Sequence, residues 1–363
     1  MKVLLSLALL LALPARAEEM VRIAVATGLP RVEIAAEGLT AAPLREGGEA
    51  RAMRGGKALV ALRKGELQLD GAPLPAAGVV FHAPGPIHAG AAAVEGEVEV
   101  RRGASGLEVI HDLPMERYVA AVIGGEMPLS FPPAALEAQA VAARTYAVGK
   151  KIEAEQAGRL WHLGATVLDQ VYKGAGRLDP RALAAARETA GEVLAKDHLP
   201  VEAYFHSACG GRTERGADAL ARDLPYLQAV ECGHCKEAPR YRWSARFDAA
   251  EVGRAAGLGR AATGARVAAR TASGRAARVE VTAGSRRATV SAVALRQRLG
   301  YERLPSLAFE VERDGKVFRF DGQGSGHGAG MCQWGAAGMA REGAGYREIL
   351  AHYYPGTELL RMY

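Results

Sequence analysis

Apolar and polar positions alternate in Val21-Arg22-Ile23-Ala24-Val25 and again in Glu97-Val98-Glu99-Val100-Arg101, the period of a strand with one buried face. Ala58–Leu62 is a short apolar run of strand length, and Gly and Pro clusters separate these segments. Residues 20–110 therefore read as mostly β. After Asp112 the period changes. Tyr118, Val119, Val122 and Ile123 make a helical stripe behind Pro114, and Pro128 disfavours helical geometry at Met127, so this helix ends near Glu126. Ser130 and Pro132-Pro133 start a second helix that runs to about Val148. Asp179-Pro180 opens a third, and Gly191 closes it.

Further on, Ala203–Ser207 and Val279–Thr282 read as strands, and Ser291–Leu299 as a short helix stopped by Gly300. Asp314-Gly315 joins the alternating runs Phe309–Arg313 and Lys316–Phe320 into a hairpin. A glycine-rich loop spans Gly322 to Gly330, and a helix follows from about Met331 to Arg341. Strands and helices mix without a βαβ rhythm, which predicts an α+β fold. The expected organisation is a leader over 1–17, a β-rich region over 18–105 and a mixed region over 106–363, with a subdomain break near 212–240.

The leader reading rests on Lys2, the apolar run Val3 to Leu13, Pro14, and Ala15-Arg16-Ala17, which fits the small-x-small pattern of signal peptidase. The run is shorter than the ~20 residues that span a bilayer, so cleavage after Ala17 is expected to release a chain without a transmembrane anchor. Losing Lys2 and Arg16 leaves 44 basic and 40 acidic residues. So small a basic excess suits a polyanionic neighbourhood, and the lack of arginine-rich runs interleaved with aromatics speaks against nucleic acid.

Three segments offer chemistry. In Gly124-Gly125-Glu126-Met127-Pro128 a carboxylate sits at a helix end between small residues. The negative end of the helix dipole disfavours the charged form of a carboxylate there, which suits a general acid. The loop from Gly322 to Gly335 presents Gln323, Ser325, His327 and Gln333 as polar contacts. It matches neither a dinucleotide nor a phosphate loop, and it suits a tight structural connection equally well. Finally, His206-x-x-Cys209 and Cys232-x-x-Cys235 have the spacing of a Cys3His zinc site, with His234 as a substitute ligand. In an exported chain a disulfide is the rival.

Together these segments resemble the stage II sporulation protein D and amidase-enhancer family over roughly residues 95–360. The matching stretches are Leu113-Pro114-Met115-Glu116-Arg117-Tyr118-Val119, Gly125-Glu126-Met127-Pro128, and Glu137-Ala138-Gln139-Ala140-Val141-Ala142-Ala143-Arg144-Thr145-Tyr146-Ala147. Tyr204-Phe205-His206-Ser207, Cys209-Gly210-Gly211, Gly326-His327-Gly328 and Tyr353-Tyr354-Pro355-Gly356 follow in order. The resemblance implies a lytic transglycosylase that cleaves the bond between N-acetylmuramic acid and N-acetylglucosamine in peptidoglycan, with Glu126 as its acid. It also implies a glycan-binding cleft lined by some of Gln139, Arg144 and Tyr146, which spacing alone equally allows to be packing or salt-bridge residues, with His327 and Gln333 positioning sugar hydroxyls beside the loop contacts Gln323 and Ser325. A zinc ion is implied too, which His206, Cys209, Cys232 and Cys235 would hold in a structural role. Cys332 stands where the family usually has Ser.

Two other functions compete. One is a non-catalytic wall-binding role that stimulates a cell-wall amidase. The other is a Cys–His wall peptidase built from Cys332 or Cys209 with His327 or His206.

Overall fold

The computed structural model describes residues 18–90, 92–165, 172, 174 and 178–363. The leader at 1–17 lies outside the described residues. The fold is α+β, and its buried apolar residues fall into three cores.

The first core to form along the chain is all β. Met20–Leu29 pairs antiparallel with Leu107–Pro114, which continues through Glu97–Arg102 and Gly78–His82 into a seven-stranded sheet. A six-stranded sheet built on Arg31–Ala35 and Lys57–Arg63 supplies the other half. Alternation puts Val32, Ile34, Val60, Phe81, Val98 and Val109 inside, where all are buried.

The chain leaves this sheet at Pro114 and turns directly into helix α1 (Met115–Glu126). Its buried stripe is the predicted one, and Met127 is extended at φ −143°, as a residue before proline should be. Helix α2 (Pro133–Gln156) is the centre of the second core. Ala135, Ala138, Ala140, Ala142, Ala143 and Ala147 are all buried along it, and side chains that small let α1, α3 (Pro180–Glu188) and the strand Glu192–Lys196 approach closely. It extends two turns beyond the expected Val148, because Ile152 and buried Ala154 continue its apolar side and Lys150–Glu153 and Lys151–Glu155 pairs support the exposed one. Asp179 caps α3 by accepting from Arg181 N. After a short helix α4 (Gly216–Leu220), the chain enters the third core.

That core is enclosed by two three-stranded sheets and two helices. Arg242–Asp248, Val317–Gln323 and Phe309–Asp314 form one sheet. Gly264–Arg270, Ala276–Ala283 and Arg286–Ser291 form the other. Helices α5 (Ala249–Ala255) and α6 (Ala292–Leu299) pack between them. The expected hairpin turns at Gly315, with φ +64°, and α6 stops at Gly300, with φ +94°. The whole unit enters and leaves through one antiparallel pair, Arg242 opposite Gln323. The chain then returns to the second core through Met331–Cys332, α7 (Gln333–Arg341) and α8 (Tyr346–Tyr353). Of the expected strand at 203–207 only Phe205–His206 pairs, parallel to Met331–Cys332.

Candidate functional site

Glu126 is the last residue of α1 and is half-buried. An added Cβ at Gly124 would meet no atom within 4 Å, so the end of the helix has an open side. Met127 and Phe131 are buried just beyond it, and Phe131 packs edge-on against Trp334 of α7 at 4.9 Å between ring centres. The chain past Glu126 is thereby fixed against α7. Gln139 of α2 lies fully buried nearby in the same core, where its Oε1 accepts from Gln333 Nε2 at 3.2 Å. Gln139 Nε2 has no partner among the described residues.

Arg144, expected at a glycan cleft, is instead fully buried. Its Nε donates to Glu116 Oε1 at 2.9 Å, with Nη2 completing the fork on Oε2. Nη2 also donates to Ala186 O at 2.9 Å, while Nη1 donates to Glu192 O at 3.1 Å and Thr189 Oγ1 at 3.3 Å. A guanidinium this deep must be matched on every side, and here it is. It locks α2 to α1, α3 and the following strand, and no donor is left for a sugar. Tyr146 borders a shallow pocket with Lys150, Val201 and Glu202, and its ring meets Tyr204 edge-on at 6.2 Å.

The glycine-rich loop is a packing device. At Gly326 a Cβ would lie 2.7 Å from His206 Cβ, and at Gly330 it would lie 1.9 Å from Tyr204 O; both have positive φ. The loop therefore lies directly on residues 204–208, bridged by Ser325 N to Ala208 O at 2.7 Å. His327 is used up in holding it: Nε2 donates to Phe205 O at 2.8 Å and Nδ1 accepts from Ala329 N at 3.2 Å. Burial lowers its pKa to about 4, so the ring is neutral near pH 7. Gln323 is exposed on the rim of a cleft in the third unit.

The parallel pairing of Phe205–His206 with Met331–Cys332 has a chemical result. It carries Cys332 to Cys209, and the ligand atoms of Cys209, Cys232, Cys235 and Cys332 all lie within 4.8 Å of one another, fully buried. Cys332 is thus the fourth member, in place of the expected His206. The His206 ring is turned away, its Nδ1 donating to Ala329 O at 3.0 Å, and Nε2 is buried with no partner among the described residues. Nor does His234 join; it pairs with Glu342.

Backbone amides point at the sulfurs. Cys209 N and Gly335 N each donate to Cys332 Sγ at 3.2 Å, and Gly211 N donates to Cys209 Sγ at 3.4 Å. Such bonds, with Cys332 at the N-terminus of α7, favour thiolates. Tyr353 Oη lies 3.1 Å from Cys232 Sγ. As thiols the four share protons unevenly: hydrogen bonding from Cys209 pushes Cys235 down, and burial pushes Cys332 up. All four are free, and the Cys209–Cys235 sulfurs stand 3.5 Å apart. A tetrahedral ion with metal–sulfur bonds of about 2.3 Å would space its sulfurs by about 3.8 Å, so the group can hold a metal ion. The same geometry removes the Cys–His peptidase. Cys209 and Cys332 are fully buried among sulfurs, out of reach of a wall peptide, whichever of His327 and His206 is taken as the base.

Arg275 ties this centre to the third unit. Nη2 donates to Cys209 O at 2.7 Å and to Arg212 O at 2.9 Å, and Nη1 to Ser273 Oγ at 3.1 Å. Buried Glu214 meets the same turn, accepting from Thr271 Oγ1 at 2.6 Å and Ser273 Oγ at 2.7 Å. Sequence reasoning noted Cys332 but missed its place in the cluster, and missed Arg275 and Glu214 altogether, because these roles depend on long-range pairing. The Cys-Gln-Trp-Gly run after the glycine loop was the one available hint.

Glu126 at an open helix end and the cluster of four buried cysteines thus belong to one α+β chain. The family model with the description "Stage II sporulation protein" matches residues 103–195, and a "Domain of unknown function (DUF8618)" matches 226–330. Stage II sporulation protein D of Bacillus subtilis (strain 168) is 33% identical over 266 residues, covering 69% of this chain and 75% of that protein. An uncharacterized protein of Brachyspira hyodysenteriae is 32% identical over 259 residues, covering 69% of this chain and 68% of that protein. The amidase enhancer of B. subtilis is 28% identical over 294 residues, covering 66% of this chain but 39% of that protein. The chain belongs to the stage II sporulation protein D family.

Proposed function

We propose that this protein is a lytic transglycosylase acting on peptidoglycan glycan strands, with Glu126 as general acid. The observation that carries the reading is the place of Glu126, at the open C-terminal end of a helix whose far side is locked into the core. Glu126 would protonate the glycosidic oxygen as the bond to the muramic acid anomeric carbon breaks. The C6 hydroxyl of the same sugar then attacks that carbon and passes its proton to the Glu126 carboxylate, giving a 1,6-anhydro end. Water is not the nucleophile, so no second carboxylate at the spacing of ordinary glycosidases is required.

Cys209, Cys232, Cys235 and Cys332 would hold a zinc ion. Four thiolates leave no open coordination position, so such an ion is structural. Protein purified without chelator should carry about one zinc per chain, and a stable disulfide with no metal would refute this part. The protein would work outside the cytoplasmic membrane after cleavage following Ala17. Among the described residues no helix is long and apolar enough to cross a membrane.

The test is digestion of purified glycan strands, with and without peptide stems, followed by mass analysis. Anhydro-ended sugars from the wild type and none from Glu126→Gln are expected. Reducing ends without the anhydro ring would make it a hydrolase. No cleavage by either protein would favour the second reading, a wall-binding stimulator of an amidase, which the amidase-enhancer relative supports.

A further inference from the structure

The third unit, which lies largely within the stretch matched as a domain of unknown function, has an open cleft of about 680 Å³ on its strand Arg242–Asp248. That volume falls in the range of roughly 300–1,000 Å³ typical of small-molecule sites. Trp243 forms one wall. Its indole lies across Gly322, its cross-strand partner, where a Cβ would fall 2.3 Å from Cζ2, and Nε1 donates to Gly324 O at 2.8 Å. The ring is therefore fixed in orientation, half-buried, with the cleft in front of it.

The charged groups around the indole are not equivalent. Arg270 is immobilised by Gly274 O at 2.8 Å and by Glu310. Asp321 is paired with Arg319 at 2.8 Å. The Arg242 guanidinium has no hydrogen-bond or ion-pair partner among the described residues, and it stands on the rim beside Trp243 and the amide of Gln323. A fixed aromatic face, a spare guanidinium and a primary amide suit a sugar ring: stacking on its C–H face, pairing with an acidic substituent, and bonding to an N-acetyl group.

We propose that this cleft binds an acidic N-acetylated saccharide of the glycan strand, with Trp243 as stacking platform and Arg242 paired to the sugar carboxylate. The choice of ligand rests on the glycan reading above, but binding here does not require turnover at Glu126. The saccharide would be held by a unit that is separate in sequence from the helix bearing Glu126.

The test uses the full chain carrying Glu126→Gln, titrated calorimetrically with stem-free glycan oligosaccharides and with chitin oligosaccharides of equal length, which lack the carboxylate. Adding Trp243→Ala should weaken binding of both at least tenfold. Adding Arg242→Ala, an exposed position with no packing role, should weaken the acidic oligosaccharide about tenfold and leave the chitin oligosaccharide unchanged. Unchanged affinity for the acidic ligand in Arg242→Ala overturns the proposal, as does failure of Glu126→Gln to bind any oligosaccharide. If Trp243→Ala lowers the melting temperature sharply, the Arg242 variant alone decides. Intact binding with no anhydro products from the wild type would instead sink the catalytic reading and leave this one standing.

Discussion

The second and third cores are held together by opposite means. The core around α2 is threaded with polar and reactive groups: Arg144, Gln139, His206 and four cysteines are all buried there. The third unit, from Arg242 to Gln323, contains neither histidine nor cysteine, and its centre is Phe247, Phe309, Phe318 and Phe320 with aliphatic neighbours. One core is held by specific pairings that fail when a partner is lost. The other is held by area and shape, which fail gradually. The difference teaches where each region can be perturbed without touching the other.

The largest expected effect comes from the sulfur centre. Structural zinc sites contribute on the order of 10 kcal/mol of binding free energy to folding. Cys332→Ser, or a strong chelator, should abolish amide exchange protection in α2, α7 and α8 while the strands of the third unit keep theirs. Uniform loss in both would break the comparison.

Next come two substitutions of comparable size in different places. Arg144→Ala takes the fork from Glu116, which keeps Tyr363 Oη and Gly191 N, and a donor from each of two buried carbonyls, and should cost about 3–5 kcal/mol, read in denaturant unfolding of the α2 core. Phe320→Ala leaves a cavity and should cost about 3–5 kcal/mol, with exchange protection lost in the third unit alone.

Acid separates the regions more gently. His111 Nε2 donates to Glu95 O at 2.7 Å and Nδ1 accepts from Tyr172 Oη at 2.7 Å, and burial lowers its pKa to about 4. The unfolded chain then binds more protons than the folded one between pH 4 and 6.5. Stability from this residue is complete above about pH 6.5 and is lost as pH falls towards 4, by about 3 kcal/mol. Exchange measured at pH 7 and pH 4.5 should show weakening around His111 and none attributable to histidine in the third unit. The smallest effect is Gly322→Ala, which forces the Trp243 indole aside at a cost of about 1–3 kcal/mol. Quenching of tryptophan emission would report it before melting does.

Local chemistry explains what was legible beforehand. The end of α1 at Pro128, the cap at Asp179-Pro180, the Asp314-Gly315 turn and the stop at Gly300 are all decided by backbone restrictions within a few residues. The sulfur centre was half legible. Cys209, Cys232 and Cys235 announced themselves by spacing, but Cys332 arrives through a two-residue parallel pairing that no local pattern encodes. Arg144 misled for a related reason: a motif shows that a residue type is demanded, not whether a ligand or the core demands it. Trp243 and Arg242 were not singled out although Arg242–Asp248 alternates cleanly, because alternation marks a strand with one buried face and not a ligand site.

The pairing of Arg242 with Gln323 has an evolutionary consequence. Just outside it, Gly324 N already donates to Tyr241 O at 3.1 Å. To the rest of the molecule, eighty-odd residues are a loop whose ends touch, and a splice from Tyr241 to Gly324 would need no chain rerouting. Such a doorway makes the unit replaceable in chain path, provided the replacement also supplies what Arg275 gives the sulfur centre through Cys209 O and Arg212 O.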